Sequence, residues 1–244
     1  MPARSVTSNQ VDIYKNLEVV VRKYASTTFL RPVADHTREA FERTCEFVRD
    51  YVVLDSGCGT GESTIHLAKR FPGIPVIGID KSAVRLLKAG NERQLENAMD
   101  GSMDDSAGFD RMQVPPNAFW VRAELLDFWR LALEKVVAGE WKVLHHALYY
   151  PNPWPKESEA TRRFHLHPIF PTLLRLGGAT ELRTNWKIYA REFAEAARVA
   201  GGALSLRLSV ECGEFSPDVP ETAFERKYQS AGQELYRVIV KSIK

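Results

Sequence analysis

The chain is poor in cysteine. Its three, Cys45, Cys58 and Cys212, are widely spaced and include no C-x-x-C pair. That pattern indicates neither a disulfide framework nor a thiolate zinc site. No apolar run reaches about 18 residues, the length a helix needs to cross a bilayer, and Met1 to Gln10 lacks the apolar core of a secretory signal. A cytoplasmic protein with no membrane partner is the expectation. Charge of one sign is also scarce: 33 Lys and Arg stand against 31 Asp and Glu, a net +2. A domain with a global electrostatic footprint for nucleic acid would be strongly basic, so any basic face here has to be local. His145, His146, His165 and His167 lie close together in the chain but without acids beside them, so no metal is expected.

What remains is ordinary globular material, with 44% hydrophobic and 26% charged residues, enough for a sizeable core. Residues 1–33 read as an N-terminal arm, either ordered or flexible, with Arg22, Lys23 and Arg31 near Tyr14, Tyr24 and Phe29. Residues 34–244 read as a single domain. Asp35-His36-Thr37 offers an N-cap for a helix through Arg49, with Phe41, Cys45, Phe47 and Val48 as its apolar stripe. Residues 98–117 are rich in Asp, Gly and Pro and predict a mobile insertion.

The most informative stretch is Leu54-Asp55-Ser56-Gly57-Cys58-Gly59-Thr60-Gly61-Glu62, which follows the apolar run Tyr51 to Leu54. Gly57, Gly59 and Gly61 permit sharp turns and a close backbone approach to a ligand. A helix over Ser63 to Arg70 then points free N–H groups at that ligand. The next strand, Pro75 to Asp80, ends in a carboxylate about 20 residues beyond the loop, the spacing at which an acid reaches ribose hydroxyls. The pattern is G-x-G-x-G, without the third glycine of a dinucleotide site and without a phosphate-binding Lys, so pyrophosphate is disfavoured. A lone glycine loop also suits a packing turn. With Asp55 before it and Asp80 after it, this one suits a cationic ligand that carries a ribose, and it resembles the loop of S-adenosylmethionine methyltransferases.

Further strands are expected at Phe119 to Arg122 and Val143 to Tyr150, with a helix from Asp127 to Ala138 between them. This alternation predicts a parallel, doubly wound α/β sheet, whose ligands lie outside the carboxyl ends of the strands. Directly after the fourth strand comes Tyr149-Tyr150-Pro151-Asn152-Pro153-Trp154-Pro155-Lys156, stiffened by three prolines and carrying a flat indole, a segment suited to holding a flipped base. Then follow Arg162-Arg163, Thr184-Asn185 and Thr222-Ala223-Phe224-Glu225.

In this order the set resembles the tRNA (guanine-N7)-methyltransferase family, which carries Pro-Asp-Pro-Trp-Pro-Lys, Arg-Arg, Thr-Asp and Thr-x-Phe/Tyr-Glu. The match runs from about residue 50 to 240. The resemblance implies a mostly parallel seven-stranded sheet of the class I methyltransferase, Rossmann-like type. It implies S-adenosyl-L-methionine as methyl donor, tRNA as partner, and a monomer or homodimer. Carried over by position, Asp55, Gly57, Gly59, Gly61, Asp80 and Glu124 hold the donor. Lys156, Arg162, Arg163, Asn185, Thr222 and Glu225 contact nucleic acid or guanine, and Asn152 takes the place of the catalytic aspartate. The chain departs from the family in having Asn at 152 and 185 where the pattern has Asp, and in Glu159-Ala160-Thr161, which replaces a basic, His-containing stretch. Three other readings stay open: a paralogue methylating another nitrogen of RNA or a small molecule, a non-catalytic RNA-binding or scaffold relative, and a purely structural turn at 150–156. Arg175, Arg183, Lys187 and Arg191 extend the candidate phosphate-binding face, with a solvated, mixed-charge helix surface as the alternative around Arg191, Glu192, Glu195 and Arg198.

Overall fold

A computed structural model of the chain describes residues 6–87 and 114–243. Val52, Val53 and Leu54 are apolar in succession and all fully buried, as a strand covered on both faces requires. They form β1 (Tyr51–Ser56) at the centre of the sheet. β2 (Val76–Asp80), β3 (Ala118–Arg122), β4 (Lys142–Tyr149) and β5 (Ala179–Thr184) run parallel to it. The order across the seven strands is β3-β2-β1-β4-β5-β7-β6. β7 (Leu235–Ser242) inserts antiparallel between β5 and β6 (Leu208–Phe215). The sheet is thus mostly parallel and doubly wound, as expected, with an antiparallel edge that strand-helix alternation does not foretell.

Eight helices are described. α1 (Leu17–Ala25), α2 (Asp35–Cys45), α5 (Leu125–Val137), α6 (Phe170–Arg175) and α7 (Lys187–Ala203) share one core with Val52, Leu54, Ile77, Ile79 and Leu182. α3 (Glu62–Arg70) and α4 (Ala83–Leu87) pack on the other face, against Val53, Val76 and Trp120. Neighbouring residues of β1 therefore serve opposite layers, the period-two consequence of a pleated strand. Burial of a side chain such as Phe128 or Phe193, both at 0% exposure, stabilises the fold by about 1.5–3 kcal/mol. α8 (Ala223–Ser230) completes the set.

Boundaries differ from the sequence reading in instructive ways. α2 begins at Asp35 itself, with Ala34 as N-cap, because the Asp35 carboxylate favours the positive end of the helix from its first turn. It stops at Cys45, and Phe47 leaves the helix to stack on Phe119 at 4.7 Å. The arm is ordered where it is described: α1 buries Leu17 and Val21 in the main core. Of the expected insertion at 98–117, residues 98–113 lie outside the described residues. Asn117, just before β3, places Nδ2 within 2.8–3.1 Å of the carbonyls of Ala68, Phe71 and Ile74. No helix among the described residues is long and apolar enough to cross a membrane.

Candidate active site

The glycine loop leaves the carboxyl end of β1 and enters α3. Gly57, Gly59 and Gly61 have φ of 78°, 60° and 79°, the left-handed region in which a side chain is strained. A Cβ at Gly57 or Gly59 would meet no atom within 4 Å, so this backbone faces open space. Behind it, Asp55 is 1% exposed and accepts hydrogen bonds from Ser63 Oγ at 2.7 Å and Thr64 Oγ1 at 2.6 Å. Burial pushes its carboxyl up to about 6, and the two hydroxyls hold it from going further. Asp80 accepts from the Gly59 N–H at 3.1 Å and the Ser82 N–H at 2.8 Å, with Arg85 Nη1 at 3.6 Å. Both acids therefore brace the loop, and Asp80 keeps spare lone pairs for a further donor. Glu124 is the half-buried N-cap residue of α5, its backbone N–H held by Thr37 Oγ1 at 3.0 Å. Open space over positive-φ glycines, bounded by acids, fits a cationic nucleoside donor.

Gly78 belongs to this architecture and was not singled out in the sequence. A Cβ there would lie 2.4 Å from Thr64 Oγ1 and 3.0 Å from Trp120 Cδ1, so only glycine lets α3 sit this close to β2. A glycine inside an apolar strand was the available signal. Cys58 is buried beside it with its thiol pushed well above the usual range by burial, which suits packing and not nucleophilic attack.

The proline turn leaves β4, the strand next to β1. Tyr150 and Trp154 both adopt positive φ, 52° and 45°, a strained backbone for bulky residues that its surroundings must hold in place. Asn152 is exposed, and its Oδ1 accepts the Trp154 N–H at 3.3 Å. Lys156 is exposed at the start of a short 3-10 turn over Glu157–Arg162. Arg162 is exposed, lies 4.6 Å from the centre of the Trp154 ring and bonds Glu159 at 3.3 Å. These groups share one rim, beyond the carboxyl ends of the strands.

Three residues placed at the nucleic acid by resemblance are placed otherwise. Arg163 is 0% exposed: its guanidinium donates twice to the Trp154 carbonyl, at 3.2 and 2.9 Å, and to Glu192 at 2.6 Å. A fully buried cation with its donors engaged secures the turn and does not reach a phosphate. Glu225 is also 0% exposed, accepting from Arg183 Nη1 at 2.8 Å and from the Glu221 N–H at 2.7 Å. Thr222 Oγ1 takes the Glu225 N–H at 3.0 Å as N-cap of α8, so the Thr-x-x-Glu motif is a helix cap, with the Glu225 carboxylate turned to Arg183 and the Glu221 N–H. Asn185, half-buried just after β5, donates Nδ2 to Gln233 at 3.0 Å.

Two buried polar clusters frame the site. In one, Arg183 pairs with Glu181 at 2.8 Å, Glu225 at 2.8 Å and Glu221 at 3.3 Å, and stacks on Tyr149 at 4.1 Å. Burial would raise the Glu181 carboxyl, but the hydrogen bond from His145 and the charge of Arg183 hold it below the usual range. Arg183 is consequently absorbed inside the fold and not part of an exposed basic face. The other cluster centres on Glu192 of α7, which looked like an ordinary helix-surface acid and is 0% exposed. His146 is neutral: burial takes its pKa down to about 3, and Ser56 Oγ lies 2.8 Å from Nε2. Among the described residues no group of three or more His, Cys, Asp or Glu could hold a metal ion.

A family model described as a methyltransferase domain matches residues 48–112. The tRNA (guanine-N(7)-)-methyltransferase of Mycobacterium avium (strain 104) is 30% identical over 187 residues, covering 74% of this chain and 62% of the relative. The same-named protein of Neisseria meningitidis serogroup C (strain FAM18) is 26% identical over 196 residues, 78% of this chain and 71% of that one. This chain is similar in sequence to the tRNA (guanine-N7)-methyltransferases. It spans 62% of the length of the mycobacterial relatives it matches. The solved 16S rRNA methyltransferase KamB aligns with a TM-score of 0.50 and 16% identity, over 88% of this chain and 97% of that one, a likeness of fold. The fold is that of a class I methyltransferase.

Proposed function

We propose that this chain is an S-adenosylmethionine-dependent methyltransferase acting on guanine N7 of tRNA. Residues 34–244 form its catalytic unit, and the cytoplasm is its place of work. The observation that carries the reading is the adjacency of two segments on neighbouring strands: the open glycine loop after β1 and the rigid turn with exposed Asn152, Lys156 and Arg162 after β4.

The methyl donor, when bound, supplies an electrophilic methyl group on a sulfonium. Gly57, Gly59 and Gly61 would bring backbone close to it, with Asp80 and Glu124 available to its ribose and base, and ionised Asp55 behind the loop. Guanine N7 owns a lone pair, so the protein has to hold the ring in line and has no proton to remove first. With Oδ1 engaged by the Trp154 N–H, Asn152 offers amide N–H donors, which match an acceptor such as guanine O6. An aspartate there would instead accept from guanine N1–H and N2–H. Lys156 and Arg162 would take phosphates, and Asn185 would reach the base from the end of β5. An enzyme methylating an exocyclic amine would use the Asn152 oxygen as acceptor; that oxygen already takes the Trp154 N–H and keeps one lone pair, so the same turn would also suit that chemistry.

The deciding experiment is incubation with unmodified bulk tRNA and isotope-labelled donor, then digestion and mass spectrometry of the nucleosides. Label in 7-methylguanosine supports the proposal. Label in another nucleoside points to a paralogue of altered substrate, and no label with donor binding intact points to a scaffold.

A further inference from the structure

The proline turn carries strain at Tyr150 and Trp154, and something must hold it. Its grip is a buried cluster reaching from the N-terminal arm to α7. Arg163 binds the Trp154 carbonyl with Nε and Nη2, reaches Gln10 Oε1 with Nη2 at 2.9 Å, and lies 4.8 Å from the centre of the Trp186 ring. Glu192 collects Arg163 at 2.6 Å, His165 Nε2 at 2.9 Å, Gln10 Nε2 at 2.6 Å and the Tyr14 backbone N–H at 2.7 Å. Ser8 Oγ donates to the carbonyl of Pro155 at 2.6 Å, so the arm touches the turn directly as well. Glu192 and Arg163 are both 0% exposed, and each Gln10 or Tyr14 contact removed leaves a buried charge short of a partner.

We propose that Glu192 and Arg163 are positioning residues for the turn at 150–156, and that residues 8–14 act as a latch completing their cradle, so that the arm sets the geometry of Asn152 from behind. This rests on the methyl-transfer reading only for its kinetic consequence. The local fixing of the turn stands on geometry alone. Gln10 is half-buried and on the arm, so its replacement should spare the fold.

The test uses the full chain with Gln10→Ala, Gln10→Glu, Glu192→Gln and the double variant Gln10→Glu/Glu192→Gln. Backbone hydrogen exchange across 150–156, donor affinity by calorimetry, and kcat and KM for tRNA are measured on each. In Gln10→Ala, exchange at the turn should quicken while β1 and β4 keep their protection. KM for tRNA should rise about tenfold, the factor one charge-assisted hydrogen bond carries, with donor affinity unchanged. Gln10→Glu should be worse, because two carboxylates then meet, and the double variant should improve on Gln10→Glu by removing that repulsion while falling short of the native chain, since the amide nitrogen at 192 then faces the Tyr14 N–H or the Arg163 donors. Exchange unchanged at the turn, or quickened evenly across the domain, or a double variant no better than Gln10→Glu, would overturn the inference. If the native chain does not methylate tRNA, the functional reading fails, and the exchange data still decide the latch.

Discussion

At Gly59 the backbone is held at φ 60° by a hydrogen bond to Asp80, and the space where a Cβ would go is empty. An alanine there meets no protein atom but strains the backbone by about 1–2 kcal/mol, and its methyl group enters the donor's space. Gly59→Ala should therefore weaken binding of S-adenosylmethionine about tenfold or more in a calorimetric titration while lowering stability only modestly. Asp55 makes a different prediction. Its folded pKa of about 6 lies above the unfolded value near 4, so the folded state binds the extra proton. The stability this group contributes is complete below about pH 4 and is lost as pH rises through about 6. Asp55→Asn removes that dependence. In urea titrations its stability relative to the native chain should improve by a few kcal/mol between pH 4 and pH 7.5, whereas an equal offset at both would mean the carboxylate is solvated.

Helices decide which carried-over roles survive. α8 is anchored by its Thr222 cap, by Glu225 on Arg183 and by Arg226 on Glu62 at the start of α3. Thr222→Ala should cost about 1 kcal/mol, and Glu225→Ala about 3–5 kcal/mol because Arg183 then stays buried with one partner fewer. Thermal melts should rank them so, and residual methylation should keep its base preference in both. The β1-loop-α3-β2 unit was legible in the sequence because two apolar runs, three alternating glycines and a terminal acid constrain the chain locally. Glu192 was illegible: Arg191, Glu192, Glu195 and Arg198 have the spacing of an exposed ion-paired surface, and it takes the arm together with Arg163 and His165, all distant in the chain, to cover one of them. Arg163 was misread for the same reason, since adjacent arginines look alike in sequence while one faces solvent over Trp154 and the other lies beneath it. The antiparallel β7 escaped notice because its insertion depends on pairing with β5, far away in the chain.

Over the whole molecule, 33 cations are nearly balanced by 31 acids, so any attraction for RNA depends on where exposed cations stand, and two that appeared available, Arg163 and Arg183, are consumed internally. Binding of tRNA should consequently show a shallow salt dependence. Lys156→Ala and Arg162→Ala should each flatten the plot of log affinity against log salt by about one, read by titration at several ionic strengths. The antiparallel edge has a consequence in time as well as in space. Because β7 slots between β5 and β6 although it is made after both, a growing chain carries two bare strand edges until Leu235 to Ser242 emerges. Both edges stand bare only between the making of β6 and that of β7, so the nascent protein is exposed to intermolecular pairing late in its synthesis, and a chain stopped after Glu234 should aggregate.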